Sequence, residues 1–138
     1  MRRCTRKLEF DAAHRVMRHE SKCKHLHGHR YVVELTVSAP GLDDLGRVID
    51  FGCIKEVVGA WIDEHWDHGT LLNYEDRDLV DLCKKNEWRW HGFDGNPTAE
   101  NISAVLFYKA AELLHRFEVE VQHVRVYETP NCWSDFDG

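Results

Sequence analysis

Residues 27–39 read HGHRYVVELTVSA, and apolar and polar side chains alternate along most of this stretch. Successive side chains of a β-strand point to opposite faces, so every second residue lies on the same side. The mainly apolar face carries His29, Tyr31, Val33, Leu35 and Val37. The opposite face is polar apart from Val32, and Pro40-Gly41 ends the pattern. The alternation predicts a half-buried strand of an antiparallel sheet.

A second stretch, residues 5–14, reads TRKLEFDAAH and alternates in the same way. One face carries Leu8, Phe10, Ala12 and His14, whereas Lys7, Glu9 and Asp11 fall on the other. We therefore predict two half-buried strands, at residues 5–14 and 27–39. If these strands are neighbours, His14 lies on the same side of the sheet as His27 and His29.

Two amphipathic helices are predicted in the rest of the chain. Asp50 is the expected N-cap of a helix over residues 51–66, where apolar side chains recur at helical spacing. Thr98, which follows Asn96-Pro97, is the expected N-cap of a second helix. Both caps are residue types whose side chains accept a hydrogen bond from the first helical turn.

Two further strands are predicted at residues 120–129 and 133–136, and the order of elements then defines the α+β class. We expect a four-stranded antiparallel sheet with two helices packed on one face. The other face must meet solvent or another subunit. Residues 78–85 could form an additional short helix and residues 88–90 a short strand.

The composition is that of a globular protein, with 138 residues, 43% hydrophobic and 30% charged side chains. We expect one domain, residues 1–138. No apolar run approaches the ~18 residues of a membrane-spanning helix, and no apolar stretch follows the basic N-terminus. We therefore expect a soluble cytoplasmic protein with no membrane partner. The 5 cysteines lack metal-finger spacing and are expected to be reduced thiols.

Charge is distributed unevenly along the chain, although the net charge is −6 and disfavours a nucleic-acid partner. Residues 1–30 carry half of the 18 Lys and Arg but only three of the 24 Asp and Glu, and Arg15, Arg18, Lys22 and Lys24 lie close to the histidine segment. A basic segment in an acidic protein can steer a small anion such as a phosphorylated metabolite. It can equally be a solvated basic face.

Histidines supply the strongest functional signal. His27 and His29 are two residues apart and share a strand face, and His14 has matching parity on the other strand. Three neutral imidazoles suit a zinc ion, and three protein ligands leave a fourth position open, as in catalytic zinc sites. The alternative is a set of ordinary surface or core histidines.

Cys23 precedes the histidine segment by a short loop and lies beside Lys22 and Lys24. Positive charge beside a thiol favours its thiolate, which can act as a base on a carbon next to a metal-bound alcohol. The alternative is a passive small residue.

Two other places carry groups suited to acid–base or binding chemistry. Asp67 can orient the imidazole of His68 and raise its basicity, although adjacent residues need not pair directly and the dipeptide could simply end a helix. Glu128 shares parity with apolar residues on its strand, so its carboxylate could accept two parallel N–H bonds from a flat amidine-like ligand. A strand-end glutamate turned to solvent is the alternative.

Taken together, the motifs resemble the 6-pyruvoyl-tetrahydropterin synthase family over nearly the whole chain. The matching motifs, in order, are Phe10-Asp11-Ala12-Ala13-His14, Cys23-x3-His27-Gly28-His29, Asp67-His68, Asn96-Pro97-Thr98-Ala99-Glu100-Asn101 and Tyr127-Glu128-Thr129. The three residues between Cys23 and His27 resemble the bacterial 6-carboxy-5,6,7,8-tetrahydropterin synthases of the queuosine pathway. Animal pyruvoyl-forming enzymes typically have a wider gap there.

The resemblance implies the tunnelling fold (T-fold), in which subunits join their sheets into a barrel and trimers stack into a homo-hexamer with active sites between subunits. It implies a lyase that converts 7,8-dihydroneopterin triphosphate to 6-carboxy-5,6,7,8-tetrahydropterin, acetaldehyde and triphosphate. The segment 74–95 is longer than in compact members and could be a lid, an edge strand or an oligomer contact.

Residue roles follow from the same resemblance. One zinc ion per subunit would be bound by His14, His27 and His29, and Cys23 would be the base. Protons would be relayed and delivered by Asp67 and His68, and the pterin anchored by Glu128 with Thr98 as a neighbour. We add Arg15 and Lys24 as candidate triphosphate contacts.

Two other functions remain open. A pyruvoyl-forming synthase would eliminate triphosphate without cleaving the side chain. A non-catalytic zinc- or pterin-binding protein would bind without turnover.

Overall fold

The computed structural model describes residues 1–138 and contains one six-stranded mixed sheet. The strands are β1 (Arg3–His14), β2 (His27–Ser38), β3 (Gly69–Asn73), β4 (Trp90–Phe93), β5 (Glu120–Thr129) and β6 (Cys132–Phe136). Their spatial order is β4-β3-β1-β2-β5-β6. The pairs β1–β2, β2–β5 and β5–β6 are antiparallel, whereas β1–β3 and β3–β4 are parallel.

Three helices accompany the sheet. Helix α1 consists of α-helical Phe51–Ile54, a π-helical turn Lys55–Gly59 and α-helical Ala60–His65; α2 is Arg77–Asn86 and α3 is Ala99–Leu114. Short 3₁₀ turns cover Lys22–Lys24 and His115–Phe117. Both predicted N-caps are confirmed, because Asp50 accepts from the Gly52 N–H and Thr98 from the Asn101 N–H. None of the helices has the length and hydropathy needed to cross a lipid bilayer.

The predicted pairing of the first two strands is confirmed. In their antiparallel register, Phe10 lies opposite Tyr31, Ala12 opposite His29, and His14 opposite His27. The alternation of both strands therefore places one apolar face under the helices, and the histidines continue that face to the end of β1.

The predicted four-stranded antiparallel sheet is wrong, because β3 and β4 extend it with parallel pairing beside β1. Strand β3 reads GTLLN, and four of its five residues are buried. It therefore lacks the alternation of apolar and polar side chains from which a strand can be predicted. The strand expected at residues 88–90 begins only at Trp90. Segment 74–95 thus forms α2 and an edge strand, and the Tyr74 ring fills the space where a side chain at Gly92 would project.

The main hydrophobic core lies between the inner face of the sheet and helices α1 and α3. It contains 21 buried residues, among them Phe10 of β1, Ile54 of α1 and Ile102 of α3. Phe10 is fully buried, stacks on Tyr31 with ring centroids 4.9 Å apart, and contacts Trp66 at 5.6 Å.

Replacing Phe10 by alanine is expected to lower the free energy of unfolding by about 3–5 kcal/mol, because the ring's contacts are lost and a cavity remains. Urea unfolding would measure the change. Tyr108→Ala is the matched control, since Tyr108 is 61% exposed and its removal should cost less than about 1 kcal/mol. Equal effects of the two substitutions would contradict this description of the core.

Candidate metal centre and active site

The imidazoles of His14, His27 and His29 converge at the end of the β1–β2 pair. The Nε2 atom of His27 lies 3.2 Å from that of His14 and 3.1 Å from that of His29. One ligand atom from each residue falls within 4.8 Å of the others. The structure therefore brings together all three histidines proposed as metal ligands.

These distances fit a tetrahedral metal centre. Ligand nitrogens about 2.0–2.1 Å from a zinc ion lie about 3.3 Å from each other, close to the separations seen here. The Nδ1 atoms of two of these rings are hydrogen-bonded to backbone carbonyls. His14 Nδ1–H donates to the Pro97 carbonyl and His27 Nδ1–H donates to the His25 carbonyl, each at 2.7 Å. Such bonds leave the Nε2 lone pairs free and hold the rings in orientation.

Burial keeps two of these rings in the neutral form that binds a metal. Burial lowers the pKa of His14 to about 4. The nearby His29 and His27 lower it further by smaller amounts, whereas the hydrogen bond to Pro97 acts to raise it. Burial also lowers the pKa of His29, although the charge of Glu128 acts in the opposite direction. His14 and His29 therefore present unprotonated nitrogens near neutral pH.

The metal-free protein should lose stability as the pH falls from about 6.5 to 4. The unfolded chain binds a proton at His14 in this range and the folded protein does not, so stability decreases by roughly 3 kcal/mol. Urea unfolding in the presence of a chelator would measure the slope. His14→Asn should flatten it and the exposed His25→Asn should not; a slope unchanged in His14→Asn would contradict the prediction.

Glu128 borders the histidine cluster, with its carboxylate oxygens 3.9 Å from His14 Nε2 and 4.0 Å from His29 Nε2. Its side chain is 25% exposed, so it is neither fully buried nor a strand-end group directed into solvent. The carboxylate can therefore meet both a bound cation and a ligand that enters from outside.

A residue that the sequence reasoning did not single out is Tyr31. Its hydroxyl is buried without a hydrogen-bond partner, and its ring packs edge-on against His14 and His29. Burial raises the pKa of Tyr31, and the charges of Glu128 and Cys23 raise it further. A buried hydroxyl normally has a partner, so this one is suited to a polar group bound at the cluster. The sequence could have indicated this residue, because Tyr31 lies on the same strand face as His29.

Cys23 lies in the 3₁₀ turn Lys22–Lys24, which ends two residues before β2 begins, and is partly buried. Its backbone carbonyl accepts a hydrogen bond of 2.9 Å from the Val16 N–H, which joins the turn to the segment that follows β1. The thiol is thus carried by a short connection between two strands that end in metal-ligand candidates.

Asp67 and His68 directly precede β3 and lie beside Asp11 of β1, whose side chain projects from the face opposite that of His14. Asp67 accepts a hydrogen bond from the Asp11 N–H at 3.0 Å, and His68 borders a groove of about 490 Å³ with Asp11, Arg30 and the edge of the cluster at His29. Within one subunit, the side-chain ligand atoms of this pair group with Asp11 and not with the three histidines.

Asp67 and His68 form a direct hydrogen-bonded pair, although residues adjacent in sequence need not do so. His68 has a left-handed backbone (φ 58°), and its Nδ1–H donates to Asp67 at 2.8 Å. Although burial acts to raise it, the pKa of Asp67 is lowered by the bonds from Asp11 and His68. The Nε2 atom of His68 is left free on a side chain that is 76% exposed.

The three candidate substrate contacts are placed differently from one another. Arg15 is held in a two-point ion pair with the buried Asp76, including a bond of 2.7 Å from Nε. Lys24 is exposed beside Cys23. Thr98 caps α3, one residue after the carbonyl that holds His14. Their contacts to substrate stay predictions, and Asp76 competes with any anion for Arg15.

A sheet backed by helices, with three converging imidazoles at one end, defines an α+β protein with a site that could hold a metal ion. The chain matches the 6-pyruvoyl tetrahydropterin synthase family over residues 3–138, and it belongs to this family. The predicted resemblance is thereby confirmed.

Relatives extend over the full chain. The 6-carboxy-5,6,7,8-tetrahydropterin synthase of Rickettsia felis is 42% identical over 98% of this chain and 99% of its own length. That of Rickettsia bellii is 40% identical with the same coverage of both chains. The prediction that the chain is a lyase-type enzyme is confirmed by these relatives.

Solved structures confirm the α+β T-fold. A protein from Wolinella succinogenes superimposes with a TM-score of 0.85 at 20% identity, covering 99% of this chain and 98% of that one. The 6-pyruvoyl tetrahydropterin synthase of Caenorhabditis elegans gives a TM-score of 0.72 at 21% identity, covering 99% and 95%. At these identities the likeness concerns the fold alone.

Proposed function

We propose that the protein converts 7,8-dihydroneopterin triphosphate and water to 6-carboxy-5,6,7,8-tetrahydropterin, acetaldehyde and triphosphate, in cytoplasmic queuosine biosynthesis. The observation that carries the proposal is the convergence of three Nε2 atoms beside the Glu128 carboxylate. Relatives about 40% identical over the full length, named for this activity, support the choice of reaction. We take residues 1–138 to act as one domain.

The ion we assign to the histidines is zinc, one per subunit, because three imidazoles and an open position are typical of catalytic zinc. When bound, it would polarise the side-chain oxygens of the substrate and acidify the adjacent C–H. Glu128 would accept two N–H bonds from the pterin ring, as carboxylates do from guanidinium groups.

Cys23 would remove the proton from the side-chain carbon beside the polarised oxygen. The electron pair left on that carbon moves into the dihydropterin ring, which becomes reduced at the expense of its own side chain. Triphosphate would leave by elimination, and water would then cleave the bond between the first two side-chain carbons, so that the first becomes the carboxylate and the other two leave as acetaldehyde. The reaction therefore needs no nicotinamide or flavin. His68 would return a proton from Nε2 while Asp67 holds Nδ1–H, and Lys24 and Arg15 would face the departing triphosphate.

Because the ligand atoms of His68 group with Asp11 and Asp67, apart from those of the three histidines, one subunit alone does not assemble this set. We propose a homo-oligomer, a hexamer built from two trimers, in which His68 of one subunit reaches the Cys23 side of its neighbour. The face carrying Asp11 and Arg30 would then be covered by the sheets of other subunits.

Product analysis with 7,8-dihydroneopterin triphosphate tests the proposal. We expect acetaldehyde, triphosphate and carboxytetrahydropterin in equal amounts, and one zinc per chain by metal analysis. Triphosphate with a pyruvoyl product and no acetaldehyde would support the pyruvoyl-forming alternative. Zinc binding without consumption of the substrate would support a non-catalytic binding protein.

A further inference from the structure

The side chain of Asn96 makes a two-point contact with the backbone that follows β1. Its Oδ1 accepts from the Met17 N–H at 3.0 Å, and its Nδ2–H donates to the Met17 carbonyl at 3.0 Å. Asn73 of β3 donates a further hydrogen bond of 3.2 Å to the same Oδ1. A carboxamide that satisfies both backbone groups of one residue fixes that residue in position and orientation.

The backbone of Asn96 is held as firmly as its side chain. Its carbonyl accepts from the Asn101 side chain at 2.7 Å and from the Thr98 N–H at 2.9 Å, so the start of α3 anchors it. The next residue, Pro97, provides the carbonyl that accepts from His14 Nδ1–H at 2.7 Å. The orientation of one metal-ligand candidate therefore depends on the place of this dipeptide.

The contact with Met17 extends toward the proposed base. Val16, the neighbour of Met17, donates its N–H to the Cys23 carbonyl at 2.9 Å. Asn96 is thus the point at which two connections meet: one runs through Pro97 to His14, and the other runs through Met17 and Val16 to the turn of Cys23.

We propose that Asn96 is a positioning residue that holds the Cys23 turn in register with the histidine cluster. This inference rests on the proposed function. It assigns Asn96 no contact with substrate; its contribution is to keep the distance between the thiol and the metal-ligand set constant during turnover. An error of about 1 Å in such a distance can cost about 10²-fold in rate.

Asn96→Ala and Asn96→Asp test the proposal, with Asn86→Ala as the control. Alanine removes both bonds to Met17, whereas aspartate keeps an acceptor for the Met17 N–H and loses the donor. The Asn86 side chain also donates to a backbone carbonyl, that of Leu82, but this hydrogen bond lies on the exposed side of α2. We expect kcat to fall about 10–100-fold in Asn96→Ala and less in Asn96→Asp, as for other partners that support metal ligands. KM should stay within about threefold, because Glu128 on β5 is untouched.

A second measurement does not depend on the reaction. The alkylation rate of Cys23, relative to that of the exposed Cys132 in the same sample, should rise at least about threefold in Asn96→Ala as the turn loosens, and stay constant in Asn86→Ala. Unchanged relative alkylation, or an unchanged kcat per folded molecule, would overturn the proposal. If the wild type shows no turnover, the proposed function fails, and the alkylation ratio still decides whether Asn96 positions Cys23.

Discussion

Replacing Cys23 by alanine is expected to lower kcat about 10²–10⁴-fold while zinc content and fold are preserved. The thiol is the only group that we assign to proton removal, and none of the hydrogen bonds at the histidine cluster uses its sulfur. Its backbone bond to Val16 is kept in the variant, so the turn should persist. Steady-state kinetics with 7,8-dihydroneopterin triphosphate, together with metal analysis, would measure both parts.

Cys132→Ala is the matched control for this substitution. Cys132 is an exposed free thiol at the start of β6, and its loss should leave kcat unchanged. A Cys23→Ala variant that retains full turnover would exclude the thiol as the base. A variant that loses zinc along with activity would mean that Cys23 supports the metal centre instead.

Mixing two inactive variants should restore activity if each site is completed by a neighbouring subunit. Cys23→Ala and His68→Ala should each be about 10²–10⁴-fold slower than the wild type, since each lacks one proton-transfer group. After joint dissociation and reassembly in equal amounts, about a quarter of the interfaces between subunits combine an intact Cys23 with an intact His68. We therefore expect about a quarter of wild-type activity.

The control for the mixing experiment is each variant carried through the same reassembly alone. Neither should gain activity, because every interface then lacks the same group. No recovery in the mixture, with subunit exchange verified by mass, would show that Cys23 and His68 act within one chain. The grouping of His68 with Asp11 and Asp67, and not with the three histidines, argues against that outcome.

Local sequence patterns were sufficient to predict the parts of the site that lie on β1 and β2. Alternation over two long strands fixed the face of every side chain, and antiparallel pairing then brought His14 opposite His27. The helix N-caps Asp50 and Thr98 could also be predicted from the sequence, because a capping hydrogen bond joins residues no more than three positions apart.

Other features depend on contacts between segments far apart in sequence. Parallel pairing of β3 with β1 joins residues more than 50 positions apart, as Ala12 with Gly69, and a short buried strand has no alternation that predicts it. The hydrogen bond between Asp67 and His68 requires the left-handed backbone of His68, which the residue types do not predict.

The sequence by itself determined the strand faces, the helix caps and the three imidazoles, because each follows from periodicity or from bonds between near neighbours. Only the tertiary structure decided that Glu128 reaches the histidine cluster, that Asp76 holds Arg15, and that His68 groups with Asp11 and Asp67 apart from that cluster. These placements depend on how whole elements pack, and the free energy of packing is summed over the core as a whole.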